Sequence, residues 1–507
     1  GFRHIVWVDC NPQTVYIEIG AFNLKNETVM TTENRQRPKA VSILFILFIF
    51  AGLALCLLIP DRAFSENENR PLEEFPELSF ETISDGSFMA KFEKYAADQM
   101  PGRDFFMAAA GRIMKAAGET DNGRVYFGKD GYLFSADKID ERQLEKNTEY
   151  AVQFLKKIKS RNPEISTSVL IAPTAAYIEK DKLPAHLTLQ DQEKIMKGLQ
   201  EKFGTGFCNV IPELKKHSDE YIYFRTDHHW TAAGACYAYG VWAQKNGFAK
   251  KSPGDYKETV LSENFLGTNF SKAGFAERPD ALTALLPQGG GEILLLAGNS
   301  PEELMDDLER LEKSGEKEKR GMVPGSASGD AANAKVTVNG SGDAANAKVP
   351  VNVSGDAGGM KETLHAKKVL HGLIDESFLE GKDKYSCFIG GNNPVTVIKK
   401  ISPKVGAAGA ETAKAATKAG NTGAETAKAA AKAGATGGRR LLLVKDSYSH
   451  CMVPLLTEIF DEIIAVDLRY YKGSTAKIAE EYNVTDVMLL YNIMQFANER
   501  NIVYLLQ

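Results

Sequence analysis

The chain has 507 residues, 43% hydrophobic and 25% charged, with a formal net charge of −5 and a mean hydropathy of −0.26. These values exclude a wholly disordered, collagen-like or disulfide-scaffold protein and a polytopic membrane protein. They also leave no basic footprint for nucleic-acid binding.

From the N-terminus, the first organised signal is Met30, which opens a short basic stretch. Residues 1–29 read as upstream translation or part of a fragment, and no function is assigned to them. Arg35, Arg37 and Lys39 precede Val41 to Ile59, an uncharged run of nineteen residues whose only polar member is Ser42. That length matches a hydrocarbon core, and the preceding charges predict a cytoplasmic N-terminus and an extracytoplasmic remainder. The run exceeds a signal-peptide core, and Pro60-Asp61-Arg62 follows it, so an uncleaved anchor is expected. Residues 1–40 would then be a cytoplasmic segment and 41–59 a single transmembrane helix.

Residues 61–286 read as the first part of an α/β domain. Phe88, Phe92, Tyr95 and Ala96 have helical spacing, as do the apolar residues from Gln143 to Ile158. Thr167 to Ala172 is a short β-branched and apolar run stopped by Pro173, expected to be a buried strand. Tyr221 to Phe224 is expected to be another, and Trp230 to Ala243 a helix. From about Gly289 the composition shifts to Gly, Ala, Ser and Asp. A repeat begins at Ser328 and again at Ser341, and a second at Gly409 and Gly423. Neither has large apolar residues to offset its ordering entropy. Residues 287–360 and 405–438 are therefore expected to be insertions forming expanded surface loops, with a wall-binding spacer as the alternative, and the domain resumes at 361–507. Arg440 to Lys445, Ile463 to Val466 and Val487 to Tyr491 are expected strands, with a helix from about Met452. Strands alternating with helices predict a parallel sheet covered on both faces.

The cysteines are Cys10, Cys56, Cys208, Cys236, Cys387 and Cys451, with no zinc-type spacing. The last four are expected to be small buried hydrophobes, or alternatively to pair in an oxidising compartment.

Five residues carry a chemical expectation. In Asp227-His228-His229-Trp230, Asp227 can fix the tautomer of His229 and leave it as a general base, the alternative being an ordinary hydrogen-bonded histidine. Ser447 follows the apolar run ending in Lys445-Asp446 and precedes a helix, where amide N–H groups can stabilise an oxyanion, the alternative on local sequence being a helix N-cap serine. Asn492 ends a strand and is an oxyanion candidate, with a turn role as its alternative, and Tyr448 is a second oxyanion candidate. Two rivals are weighed: a metal held by Asp227, His228, His229 and His450, and Cys451 as nucleophile. Neither is preferred, because adjacent histidines seldom share one metal face and Cys451 sits in a packing position. No cofactor and no metal are expected.

These residues resemble the DHHW family. The resemblance extends to Glu68-Asn69-Arg70 with Phe75-Pro76, Asp98 to Asp104, Val125 to Tyr132, Phe265-Leu266-Gly267-Thr268 and Lys445-Asp446-Ser447-Tyr448. The DHHW family is similar to the SGNH-hydrolase-like domains of the alginate O-acetylation proteins, which carry an Asp-x-His-Trp motif and a later Ser-Tyr-Ser. The resemblance implies an SGNH-hydrolase-like α/β fold, with Ser447 as nucleophile, His229 as base and Asp227 as its orienting residue. It assigns no role to His228. It also implies acetyl transfer to a cell-surface polysaccharide, with a membrane-bound O-acyltransferase partner supplying acetyl groups. The expected protein is a single-pass cell-membrane O-acetyltransferase. Its alternatives are a carbohydrate esterase with the same triad and a non-catalytic glycan-binding or scaffold subunit.

Overall fold

The structure, a computed structural model, describes residues 32–65, 67–68, 70–288, 291–321, 364–401 and 438–507. Residues 1–31 and both repeat pairs lie outside the described residues. The chain divides into two compact units, one of residues 1–62 and 73–101, the other of residues 63–72 and 102–507.

In the first unit, helix α1 (Thr32–Leu58) covers the apolar run as far as Leu58, and Ile43, Leu44, Phe45 and Leu47 on it are exposed. Among the described residues no helix is long and apolar enough to cross a membrane, so the anchor expected at 41–59 rests on the sequence. Helix α2 (Ser87–Gln99) carries Phe88, Phe92 and Tyr95 on one face, as their spacing predicts. The Phe75 ring packs edge-on against all three, with centroids 5.2–6.3 Å apart.

The second unit is built on an eight-stranded sheet. In chain order the strands are β1 (Ser166–Ala172), β2 (Phe207–Cys208), β3 (Glu292–Gly298), β4 (Lys368–His371), β5 (Val395–Ile401), β6 (Arg440–Lys445), β7 (Glu462–Val466) and β8 (Asp486–Asn492). Their spatial order is β4-β3-β5-β7-β6-β8-β1-β2. Strands β7, β6, β8, β1 and β2 are mutually parallel, whereas β4, β3 and β5 are antiparallel additions at one side. The sheet is therefore mixed, and the wholly parallel sheet expected from the alternation of strands and helices is corrected. The parallel strands are buried along nearly their whole length, which is why they read as continuous apolar runs.

Two further expectations differ. Strand β3 lies inside the stretch read as low-complexity, because Gly289 to Gly291 obscured the apolar run Ile293 to Ala297 beside it. It is followed by a helix over Pro301–Gly321. Tyr221 to Phe224 forms no strand: Tyr223 makes a single bridge to Trp230, and Phe224 N–H donates to His229 O at 3.2 Å. The chain from 222 to 231 instead closes on itself as a tight loop.

Helix α3 (Glu141–Arg161) buries Leu144, Ala151, Phe154 and Ile158 at helical spacing, and Asp140 caps it by accepting from the N–H groups of Arg142 and Gln143. Helix α4 (Ala232–Lys245) starts after Thr231, whose hydroxyl accepts from Gly234 N–H. Helix α5 (Thr268–Ala273) is held by Phe270 N–H donating to Thr226 O and by Asn269 Nδ2 donating to Leu133 O at 2.7 Å. Cys208, Cys236, Cys387 and Cys451 are buried free thiols, the packing role preferred for them.

The parallel strands place function on one rim. Leu490 pairs with Lys445 and Asn492 with Ala172, so the carboxyl ends of β6, β8 and β1 come level. Loops beyond those ends carry ligands in α/β sheets.

Candidate active site

Strand β6 ends at Lys445, and Asp446 turns the chain into a short 3-10 segment over Ser447–Ser449. Asp446 makes this turn by accepting from Tyr448 N–H at 2.9 Å and from Asn492 N–H at 2.8 Å, which ties β6 to β8. Ser447 is thereby presented, half-buried, on the rim. Opposite it, the loop of residues 222–231 carries Asp227 and His229. The Trp230 indole N–H donates to Tyr448 O at 2.9 Å and fastens this loop to the serine turn.

The three residues form one hydrogen-bonded chain. His229 Nε2 lies 2.8 Å from Ser447 Oγ, and His229 Nδ1 lies 2.5 Å from Asp227 Oδ1. An ionised carboxylate only accepts, so Nδ1 carries the proton and Nε2 presents its lone pair to the serine hydroxyl. Asp227 also accepts from His229 N–H at 2.9 Å, from Thr268 N–H at 2.7 Å and from Thr268 Oγ1 at 3.0 Å. Burial alone would raise its carboxyl, but the imidazoles of His228 and His229 and these hydrogen bonds hold it well below the ordinary carboxylate range.

Tyr385 stacks on the His229 ring with centroids 4.0 Å apart, and its hydroxyl donates to Ser447 O at 3.2 Å. The imidazole is thus fixed by a ring on its face and a carboxylate at its edge. The sequence carries no signal for Tyr385. Thr268 stands in a family-like block but gave no hint of its contact with Asp227, because 41 residues separate them.

The two oxyanion candidates are both engaged elsewhere. Tyr448 donates its N–H to Asp446 and its hydroxyl to His228 O. The Asn492 amide donates to Ala172 O at 3.3 Å, and its oxygen accepts from Met494 N–H at 2.9 Å, a helix-capping role. The backbone N–H of Ser447 has no partner among the described residues. It is the donor of this turn left available to an oxyanion.

The metal alternative is not assembled as a four-residue set. Asp227, His228 and His229 have ligand atoms within 4.8 Å of one another. His450 instead meets the fully buried Lys445, whose Nζ lies 2.8 Å from His450 Nε2 and 3.4 Å from Asp467 Oδ2. Burial lowers both Lys445 and His450, and Arg469 clasps Asp467 from the cavity side through two hydrogen bonds of 2.6 and 2.9 Å. Cys451 is buried beneath Tyr385, and burial pushes its thiol up to about 12, the environment of an inert thiol.

Ser447, His228 and His229 open onto a cavity of about 670 Å3. Thr174, Thr188, Gln190, Gln192, Gln495 and Asn498 contribute to its wall. The arrangement can activate a serine hydroxyl beside a cavity lined by these uncharged hydrogen-bonding groups together with charged ones, Asp137, Lys138, Lys272, Asp383 and Arg469.

No curated protein matches the chain. Among solved structures, a DHHW family protein from Eubacterium siraeum DSM 15702 is 16% identical, with a TM-score of 0.46 over 76% of this chain and 95% of its own. Bacillus cereus PatB1 with a sulfonyl adduct is 15% identical, with a TM-score of 0.47 over 75% of this chain and 97% of its own. The O-acetyltransferase domain of Pseudomonas putida AlgJ is 15% identical, with a TM-score of 0.26 over 31% of this chain and 63% of its own. Residues 164–306, which include the Asp227-His228-His229-Trp230 loop and the Gly267-Thr268 contact, match the family described as DHHW protein.

Proposed function

We propose that the protein is a membrane-anchored, extracytoplasmic O-acetyltransferase that moves acetyl groups to a cell-surface polysaccharide through Ser447, His229 and Asp227. The observation that carries this reading is the continuous chain Asp227 Oδ1, His229 Nδ1, His229 Nε2, Ser447 Oγ at the mouth of the cavity.

The chemistry follows from the tautomer. Ser447 Oγ attacks the acetyl carbonyl carbon of a donor as its proton passes to His229 Nε2. The imidazolium returns that proton to the departing donor group, leaving acetyl-Ser447. A sugar hydroxyl then attacks the same carbon and gives its proton to His229 Nε2. Ser447 leaves as the hydroxyl after taking that proton back. Asp227 holds Nδ1–H throughout and stabilises the imidazolium without accepting its proton. The Ser447 N–H is placed to meet the carbonyl oxygen as it becomes an oxyanion.

The hydroxyl and amide groups of the cavity wall suit a polyhydroxylated acceptor. The uncharged run 41–59 behind Arg35, Arg37 and Lys39 would anchor this site at the outer membrane face, beside a membrane-bound O-acyltransferase that supplies acetyl groups.

The test is turnover of a chromogenic acetate ester by the full chain in detergent, beside Ser447→Ala, with and without a glycan oligomer. Loss of about 10^4-fold or more in the variant, with acetyl appearing on the oligomer, is the expected result. Loss of turnover in the variant with acetate released only to water would make the protein an esterase. Equal background rates in both would favour a non-catalytic glycan-binding or scaffold subunit.

A further inference from the structure

His228 takes no part in the hydrogen-bonded chain, yet it has contacts of its own. Its carbonyl accepts the Tyr448 hydroxyl, and its ring lies beside His229 with centroids 3.9 Å apart. Its Nδ1 lies 2.6 Å from Thr268 Oγ1, and the side chain, 40% exposed, lines the cavity. Nε2 has no partner among the described residues.

Thr268 Oγ1 has one proton and two neighbours, Asp227 Oδ2 at 3.0 Å and His228 Nδ1 at 2.6 Å. The ionised Asp227 carboxylate accepts only, so the threonine hydroxyl donates to it. Thr268 must then accept, and the proton between it and His228 sits on Nδ1. Asp227 Oδ1, 3.6 Å from the same nitrogen, favours that placement too. His228 is thereby fixed in the Nδ1–H form, with the Nε2 lone pair left over for the cavity. Partial enclosure in the pocket and the adjoining His229 lower its pKa against the pull of Asp227, with Lys272 and Arg469 adding to the fall. The ring stays a neutral acceptor at physiological pH.

Two imidazoles thus stand side by side with their Nε2 lone pairs available, one beside Ser447 and one unpartnered. With the ring centroids 3.9 Å apart, neighbouring hydroxyls of one sugar can reach both rings. We propose that His228 is an acceptor-binding residue: its Nε2 accepts a hydrogen bond from the hydroxyl next to the one being acetylated, so that the acceptor is a vicinal diol. Thr268 is the positioning residue that sets the tautomer. This rests on the transferase reading and sharpens its substrate class. Water has no second hydroxyl to offer, so the contact favours transfer over hydrolysis.

The test has two arms, both on the full chain in detergent. In the first, 15N spectra of histidine-labelled protein at neutral pH, assigned with His228→Gln, are expected to show His228 protonated at Nδ1 and bare at Nε2. The opposite tautomer, or a doubly protonated ring, overturns the proposal without any reference to activity. In the second, acetyl transfer from the chromogenic ester is compared with hydrolysis, using methyl glucoside and its monodeoxy counterparts as acceptors. His228→Phe is expected to lower the transfer-to-hydrolysis ratio about tenfold for methyl glucoside and to abolish its preference over at least one deoxy compound. His228→Gln, whose side-chain oxygen accepts, is expected to restore part of the ratio. An unchanged ratio in His228→Phe overturns the role of His228 alone. Absence of Ser447-dependent turnover in the parent protein overturns the transferase reading and this role with it.

Discussion

Gly267 leaves no room for a side chain: a Cβ there would lie 2.2 Å from Asp227 Oδ2. Its φ is −91°, so any residue fits the backbone and only the close approach demands glycine. Gly267→Ala is expected to push Asp227 away from His229 and lower ester turnover by about 10^3-fold, with the folded state retained. Kinetics beside a denaturation curve check this, and turnover within about threefold of the parent would show that the carboxylate needs no such placement. Asp446 gives a pH-dependent prediction. Burial raises its carboxyl from 3.8 to about 6, against the N–H of Asn492 and the charge of Arg469. Between about pH 4 and 6 the folded chain keeps a proton that the unfolded chain has lost. Stability therefore falls as pH rises through that window, by roughly 3 kcal/mol at most. Asp446→Asn removes the titrating group, and urea unfolding of both proteins at pH 4 and pH 6 reads the difference. At this scale the sequence displayed Asp227, His229 and Ser447, because each stands in a short motif beside a strand or turn. Tyr385 and Thr268 were illegible, because their roles arise from distant contacts that no local pattern encodes.

The loop bearing the motif is shaped by a neighbouring element. Asp280 opens the strand Asp280–Leu286 and is fully buried. It accepts from Arg225 N–H at 3.0 Å, from Thr226 N–H and Oγ1 at 2.7 Å each, and from the Tyr221 hydroxyl at 2.6 Å. These four bonds set the chain just before Asp227. Asp280→Asn substitutes a donor for one accepting oxygen and is expected to destabilise the fold by about 2–3 kcal/mol. Its unfolding midpoint in urea tests this, and an unchanged midpoint would mean that the loop is held by Trp230 and Tyr448 instead. The same loop shows where element reading failed. Tyr221 to Phe224 is apolar enough for a strand, but Asp280 and the motif bend the backbone into a closed turn after one bridge. Strands β1, β6, β7 and β8 were legible because burial on both faces made them unbroken apolar runs. Strand β3 was not, because glycine-rich neighbours hid it and the antiparallel side of the sheet has no signature of its own.

For the whole molecule, the strands on either side of the second repeat pair return to one place. Lys399 on β5 and Arg440 on β6 both pair with Glu462 of the strand between them. Their backbones are thus about two strand spacings, roughly 10 Å, apart. A linker of about six Gly and Ser residues spans that distance easily. Replacing 405–438 by such a linker is expected to shift the thermal midpoint by no more than a few degrees, because the repeats have no large apolar side chains to bury. A large fall on calorimetry would show that the insertion is part of the core.

Acetylation of Ser447 is the covalent event on which transfer depends. Brief exposure of the full chain to a chromogenic acetate ester, quenching with acid and peptide mass mapping would locate the acyl group. The prediction is one acetyl mass on the peptide holding Ser447, absent in Ser447→Ala and discharged when a glycan oligomer is added before the quench. An unlabelled Ser447 peptide during active turnover, or equal labelling elsewhere in the variant, would contradict it.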